Sequence, residues 1–269
     1  MKEFFSSLES ILFESNPQIK IASFRDFYSD FLEKKIYFDS HHEAKIQTQP
    51  SYANFCQIIH PTKISRPKML SSLQNIAKII HSIVHIEYSA IDLALDAAYR
   101  FKNLPLQYYQ DWLEVADEEI KHFLVLEEIL KELGFFYGDF NVHNNLHQAM
   151  VLTCSSFMER MGLVHRGLEA MGLDANPFVA QKIQTTSHPI KSKIKEALDI
   201  ILNDEISHVK KGDKWWRYAN PNKDSFKELL YKFRAFRLKG KILNTQARLQ
   251  AGFTEKELKE LQNLNPLLD

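Results

Sequence analysis

Apolar residues stand at positions 112, 115, 126, 129 and 133, and Glu119 and His122 fill the remaining slots of the same alternation of three and four. The series 194, 198, 201, 205, 208, 212, 215 follows the same rule, with Glu205 and His208 in its polar slots. Such steps keep residues on one face of an α-helix. Both stripes therefore predict long helices that bury a carboxylate and an imidazole among Leu, Ile and Trp.

The same period predicts four long helices. The first covers about 70–101, with Leu73, Ile76, Ile80, Ile83, Ile91 and Ala94 inward and Glu87 in line with them. The second covers about 108–133 and is closed by Gly134. The third starts near Leu146 and runs through Val151, Cys154, Met158 and His165, and the fourth covers about 190–218. Before them, residues 1–33 predict two short amphipathic helices, with Phe4, Leu8, Ile11 and Leu12 on one face of the first and Phe24, Phe27, Tyr28 and Phe31 on one face of the second. Residues 34–68, with HH, QPSY, HPTK and SRPK, hold no period and read as an irregular arm. Residues 225–265 predict two further helices. No strand pattern stands out. The expectation is an all-α chain: an N-terminal arm at 1–68, a four-helix bundle at 69–220 and a C-terminal helical extension at 221–269.

Composition agrees with that class. The 269 residues are 45% hydrophobic, enough for a full core, and include only eight Gly and nine Pro. Formal net charge is zero, so no global field favours nucleic acid or a membrane surface. Cys56 and Cys154 form no CxxC motif and read as two reduced thiols. Acids interrupt the apolar run of MKEFFSSLESILFESNP, unlike a signal peptide, and no stretch reaches the ~18 uncharged apolar residues of a membrane span. A soluble cytoplasmic protein is expected.

The inward acids carry the chemistry. Burying a carboxylate is costly unless a proton or a cation neutralises it. Residues three apart on a helix reach a common ion. One Glu from each of two helices and Glu-x-x-His from each of the other two is the ligand set of di-iron and di-manganese carboxylate bundles. With 20 Glu and 11 His in 269 residues, chance alone gives about 0.8 Glu-x-x-His matches, so two matches decide little by number. Their place on buried stripes, each after a helix with an inward Glu, is what counts.

Glu87, Glu119, His122, Glu205 and His208 are thus candidate ligands. The third helix offers Glu169 or Glu159. Glu169 follows His165 and Met158 on the apolar stripe and precedes Glu205 by 36 residues, close to the 32 between Glu87 and Glu119. Glu159 shares a face with Ser155, Gly162 and Arg166 that looks solvated, and precedes Glu205 by 46. Choosing Glu169 requires the helix to continue past Gly172 and Pro177.

HIEYSAIDLALD, DWLEVADEEIKHF, YGDF, LEAMGLDANP, DEISHVKKGDKWW and NTQARLQAGF, spread over most of residues 66–255, resemble an uncharacterised ferritin-like family, a domain of unknown function (number four-five-five). The resemblance implies a ferritin-like bundle with a dinuclear metal centre, and Glu87, Glu119, His122, Glu169, Glu205 and His208 fall at matching positions. The family pattern has Pro where this chain has His165 and lacks an acid at Glu159, which favours Glu169. A more distant similarity is to the tRNA-hydroxylating branch of ferritin-like proteins.

Other residues are open to plainer readings. His165, four before Glu169, is placed either as an outer-shell donor or proton shuttle or as a core histidine. His85 lies about 160° around the helix from Glu87 and reads as structural, and His41, His42, His60, His143 and His147 have no ligand spacing. The basic, aromatic segment KELLYKFRAFRLKGK fits either RNA stacking or an amphipathic helix packed on the bundle, and the packing reading is favoured. Trp215 and Trp216 read as packing at the bundle end.

Taken together, these features predict a protein with two Fe ions (or Mn). The function expected is O2- or peroxide-dependent oxidation of a small molecule or a modified RNA, by a monomer or homodimer. Iron storage in a cage, or a non-catalytic interaction module, is the alternative.

Overall fold

The Glu3 carboxylate accepts hydrogen bonds from the Phe5 and Ser6 amides and so starts α1, Phe4–Phe13. Asn16 does the same for α2, Pro17–Leu32, whose Pro17 stands in the first turn where its missing N–H costs nothing. The computed structural model describes residues 1–39, 41–220 and 226–263, and they divide into two units, Met1–Cys154 and Ser155–Asp269. The fold is all-α. Its described strands are two residues long: β1, Lys2–Glu3, pairs in parallel with β2, Ile36–Tyr37. No described helix is long and apolar enough to cross a membrane.

The first unit is built on α3, Leu73–Arg100, and α4, Leu106–Glu132. Five residues join them, a length that makes the helices antiparallel neighbours. The expected stripes are buried along α4 and, apart from half-buried Ile83, along α3 from Ile76, but Leu73 is 46% exposed because it sits in the first turn, before the buried run begins. Gly134, with φ of +81°, ends α4 as anticipated. The arm is irregular, as its sequence implies, yet firmly held. Lys20 is fully buried, ion-paired with Asp92 and donating to the Leu12 carbonyl at 3.0 Å, and Ser51 donates to the same Asp92 at 2.6 Å.

The segment after α4 is pinned to α3 by two histidines. His85 lies 2.9 Å from the Tyr137 hydroxyl through Nδ1 and 2.7 Å from the His143 carbonyl through Nε2, and it is structural as its helical phase predicts. His81 Nε2 accepts from the Gly138 amide at 3.0 Å. Gly138 is required there: its φ is +109°, and a Cβ would come 2.8 Å from the Phe55 carbonyl oxygen.

An imidazole that accepts a hydrogen bond must be neutral, and burial pushes the His81 pKa down to about 4, against the pull of Asp139. The unfolded chain takes up a proton near pH 6.5 and the native state does not. Stability is therefore lost as pH falls from about 6.5 to about 4, by about 3 kcal/mol for this group. His81→Gln, which keeps an acceptor and cannot ionise, is expected to flatten that slope in urea unfolding between pH 7 and pH 4.5. Parallel slopes for both proteins would assign the acid sensitivity elsewhere.

The expected third helix is not continuous. It stops at α5, Asn145–Leu152, and begins again after Ser156. The cause is the run Thr153-Cys154-Ser155-Ser156. Thr153 turns its hydroxyl onto the Ala149 carbonyl at 2.8 Å, and the Ser156 hydroxyl accepts from the Glu159 amide at 3.3 Å as a new cap.

The second unit opens with α6, Phe157–Glu159, a π-helical stretch Arg160–Leu168, and α7, Ala170–Ile183. The backbone stays right-handed helical through Glu169 and past Gly172, as the choice of Glu169 requires, and Pro177 lies inside α7. Proline leaves the Leu173 carbonyl without its usual donor, and the Asn244 side chain supplies one at 3.2 Å. α8, Lys191–Ala219, follows.

Three helices rather than two are described beyond it: α9, Phe226–Lys232, α10, Thr245–Gln250, and α11, Glu255–Asn263. Gly252, with φ of +102°, separates the last two. Buried Asp174 anchors this extension to α7. It pairs with Arg248 at 2.8 Å and accepts from the Gly240 and Asn244 amides at 2.8 and 2.9 Å. In the basic segment Phe233 is buried, Phe236 half-buried and Tyr231 exposed, so its aromatics do not form one face.

Candidate metal centre

α3 carries Glu87 and α4 carries Glu119 and His122, one turn apart, all three buried in the first unit. His122 Nδ1 lies 3.3 Å from Glu87 Oε2 and 3.5 Å from Glu119 Oε2. One ligand atom from each residue falls within 4.8 Å of the others, close enough for a single ion. Trp112, Val115 and Leu126 on the same stripe of α4 are buried with them.

Electrostatics show how tense this group is. Burial pushes the Glu87 carboxyl up to about 7; its hydrogen bond to His122 opposes the rise and the neighbouring Glu119 adds to it. Burial disfavours the His122 cation, but Glu119 and Glu87 outweigh it and raise the imidazole to about 12. One imidazolium balances one carboxylate. The second carboxylate needs a proton or a cation, and a divalent ion replaces both protons at once. This donor set, two carboxylates and one imidazole, all buried, can hold a metal ion.

In the second unit α8 places Glu205 and His208 one turn apart, both buried, with ligand atoms within 4.8 Å of each other. Glu169 follows the π-helical stretch, its side chain nearly closed to solvent, and its Oε1 lies 2.9 Å from Nδ1 of fully buried His165. A Cβ on Gly172 would come 3.7 Å from the Glu205 carboxyl carbon, an ordinary contact that places the start of α7 beside this carboxylate.

Glu159, the other candidate, is ion-paired with Lys232. The reading of a solvated face holds for Ser155, which is exposed, and fails for the other neighbours of Glu159. Gly162 and Arg166 are buried, and the Arg166 guanidinium pairs with Asp213 at 2.6 Å and Glu257 at 2.8 Å. It also lies 4.6, 4.3 and 4.1 Å from the ring centres of Trp216, Phe226 and Phe253. Trp215 and Trp216 are packing residues, as anticipated.

Two features escaped a reading based on a 3.6-residue period: the π-helical stretch and the buried arginine. The first does leave a trace. Gly162, Gly167 and Gly172 recur every five residues, the spacing of π-helical hydrogen bonds, and a Cβ on Gly167 would come 3.1 Å from the Gly162 carbonyl oxygen.

Residues 13–259 match a family described as "Protein of unknown function (DUF455)". An uncharacterized protein of Haemophilus influenzae is 37% identical over 271 residues, covering 95% of this chain and 92% of that protein. No solved structure matches. The chain belongs to the DUF455 family.

Proposed function

We propose that the chain is a dinuclear non-haem iron or manganese carboxylate protein of the ferritin-like type. Its function is then O2- or peroxide-dependent oxidation of a small molecule or a modified RNA in the cytoplasm. The observation that carries this reading is the buried group Glu87, Glu119 and His122, whose ligand atoms lie within 4.8 Å of one another. Glu169, Glu205 and His208 supply the second ligand set, two carboxylates and one imidazole again. Iron or manganese supplies the Lewis acidity and one-electron redox chemistry that no side chain provides. The protein's own part is to neutralise the ions with carboxylates, orient them with imidazoles and keep bulk water out with the apolar stripe around Trp112.

Elemental analysis tests this. Protein reconstituted anaerobically with ferrous iron and desalted is expected to retain about two metal ions per chain. Glu169→Ala is expected to lower that number and Glu159→Ala to leave it unchanged. A protein that retains none is an interaction module instead, and a large cage on size exclusion, with many irons per chain, makes it a storage protein.

A further inference from the structure

His165 stands four residues before Glu169. It lies inside the π-helical stretch Arg160–Leu168, where the Glu169 amide donates five residues back to the Val164 carbonyl at 3.2 Å. α8 presses on the same peptide: a Cβ at Gly212 would fall 2.2 Å from the His165 carbonyl oxygen. Only a glycine permits that approach. Gly212 is four residues beyond His208, one turn further along the same face of α8. The backbone of His165 is thus fixed against the helix that carries Glu205 and His208. Its side chain is fully buried and reaches Glu169 Oε1 through Nδ1 at 2.9 Å. An ionised carboxylate only accepts, so Nδ1 carries the hydrogen in this pair.

We propose that His165 is a positioning residue that ties down one oxygen of Glu169, so that this carboxylate offers its metal the other oxygen in one orientation. The inference rests on Glu169 being a ligand. A donor that orients a metal-binding group typically changes metal affinity 10- to 100-fold when removed, roughly the effect expected here.

Cobalt(II) titration of the apoprotein, followed by visible absorption and calorimetry without oxygen, tests it. The wild-type protein is expected to bind two cobalt ions. His165→Ala should weaken one of them roughly 10- to 100-fold and shift its ligand-field band, leaving the other unchanged. His165→Asn, whose amide can donate from nearly the place of Nδ1, should recover most of the affinity and the band. The double variant His165→Ala, Glu169→Ala should bind no more weakly than Glu169→Ala alone. Wild-type affinities and spectrum in His165→Ala would overturn the inference, as would losses that simply add in the double variant. If the wild-type protein takes up no second cobalt, the reading of Glu169 as a ligand fails first and the inference with it. A purely structural histidine would lower the melting temperature of both variants and move neither the band nor the affinity.

Discussion

Stripping the metal is expected to lower the melting temperature by about 5–10 °C near pH 8 and by much less near pH 5.5. An ion present at about a hundred times its Kd stabilises the native state by about 2.7 kcal/mol, and a kcal/mol moves the midpoint of a chain this size by roughly 2–4 °C. The pH dependence follows from the group on α3 and α4. Burial raises the Glu87 carboxyl to about 7, so the folded apoprotein holds a proton that the unfolded chain releases near pH 4.5. That stabilising proton is present at pH 4.5 and is lost as pH rises through about 7. The raised His122 contributes in the same sense, fully below pH 6.5 and less at higher pH. Metal ligands must be deprotonated, so metal stabilisation grows as pH rises. Apoprotein weakens in the range where holoprotein gains, and the gap between them opens from pH 5.5 to pH 8. The neutral His81 is common to both forms and cancels in the difference. Differential scanning calorimetry of both forms at the two pH values measures the gap directly. Superimposable curves at pH 8 would mean that no ion is bound inside the fold.

Much of this was legible because buried stripes obey a fixed period. Along α4 and α8 the alternation of three and four points Glu119, His122, Glu205 and His208 inward, and all four are buried. The same arithmetic failed where the period itself changes. Val151, Cys154 and Met158 line up at helical spacing and so predict one continuous third helix. Local hydroxyl bonding by Thr153 and Ser156 ends one helix and starts another, and the π-helical stretch then shifts the face by one residue per turn. Hydrophobicity counting cannot see a hydroxyl competing for a carbonyl. Arg166 escaped for a related reason. A guanidinium reads as solvated until Asp213, Glu257 and three aromatic rings, all from distant parts of the sequence, are found around it.

For the metal centre proposed above, the number of donor atoms separates a storage site from a reactive one. Storage sites pass iron on; catalytic sites keep it and leave room for oxygen. Four carboxylates binding through both oxygens and two imidazoles offer at most about ten donor atoms, whereas two octahedral ions present about twelve positions. Were two such ions held by these residues, positions would be left for O2 or water. Protein loaded with about two ferrous ions per chain is accordingly expected to consume O2 within minutes of mixing, read with an oxygen electrode. Reduction of O2 to hydrogen peroxide with two protons takes two electrons, the number that two ferrous ions release, so about one O2 per chain should disappear in the absence of substrate. Glu119→Ala, which breaks the group of Glu87, Glu119 and His122, is expected to slow that uptake by at least about tenfold at equal protein concentration. Glu159→Ala, which removes only the ion pair with Lys232, should leave it unchanged. Iron-loaded protein that stays ferrous in air for hours has its coordination positions closed, and the oxidoreductase reading then gives way to a structural one.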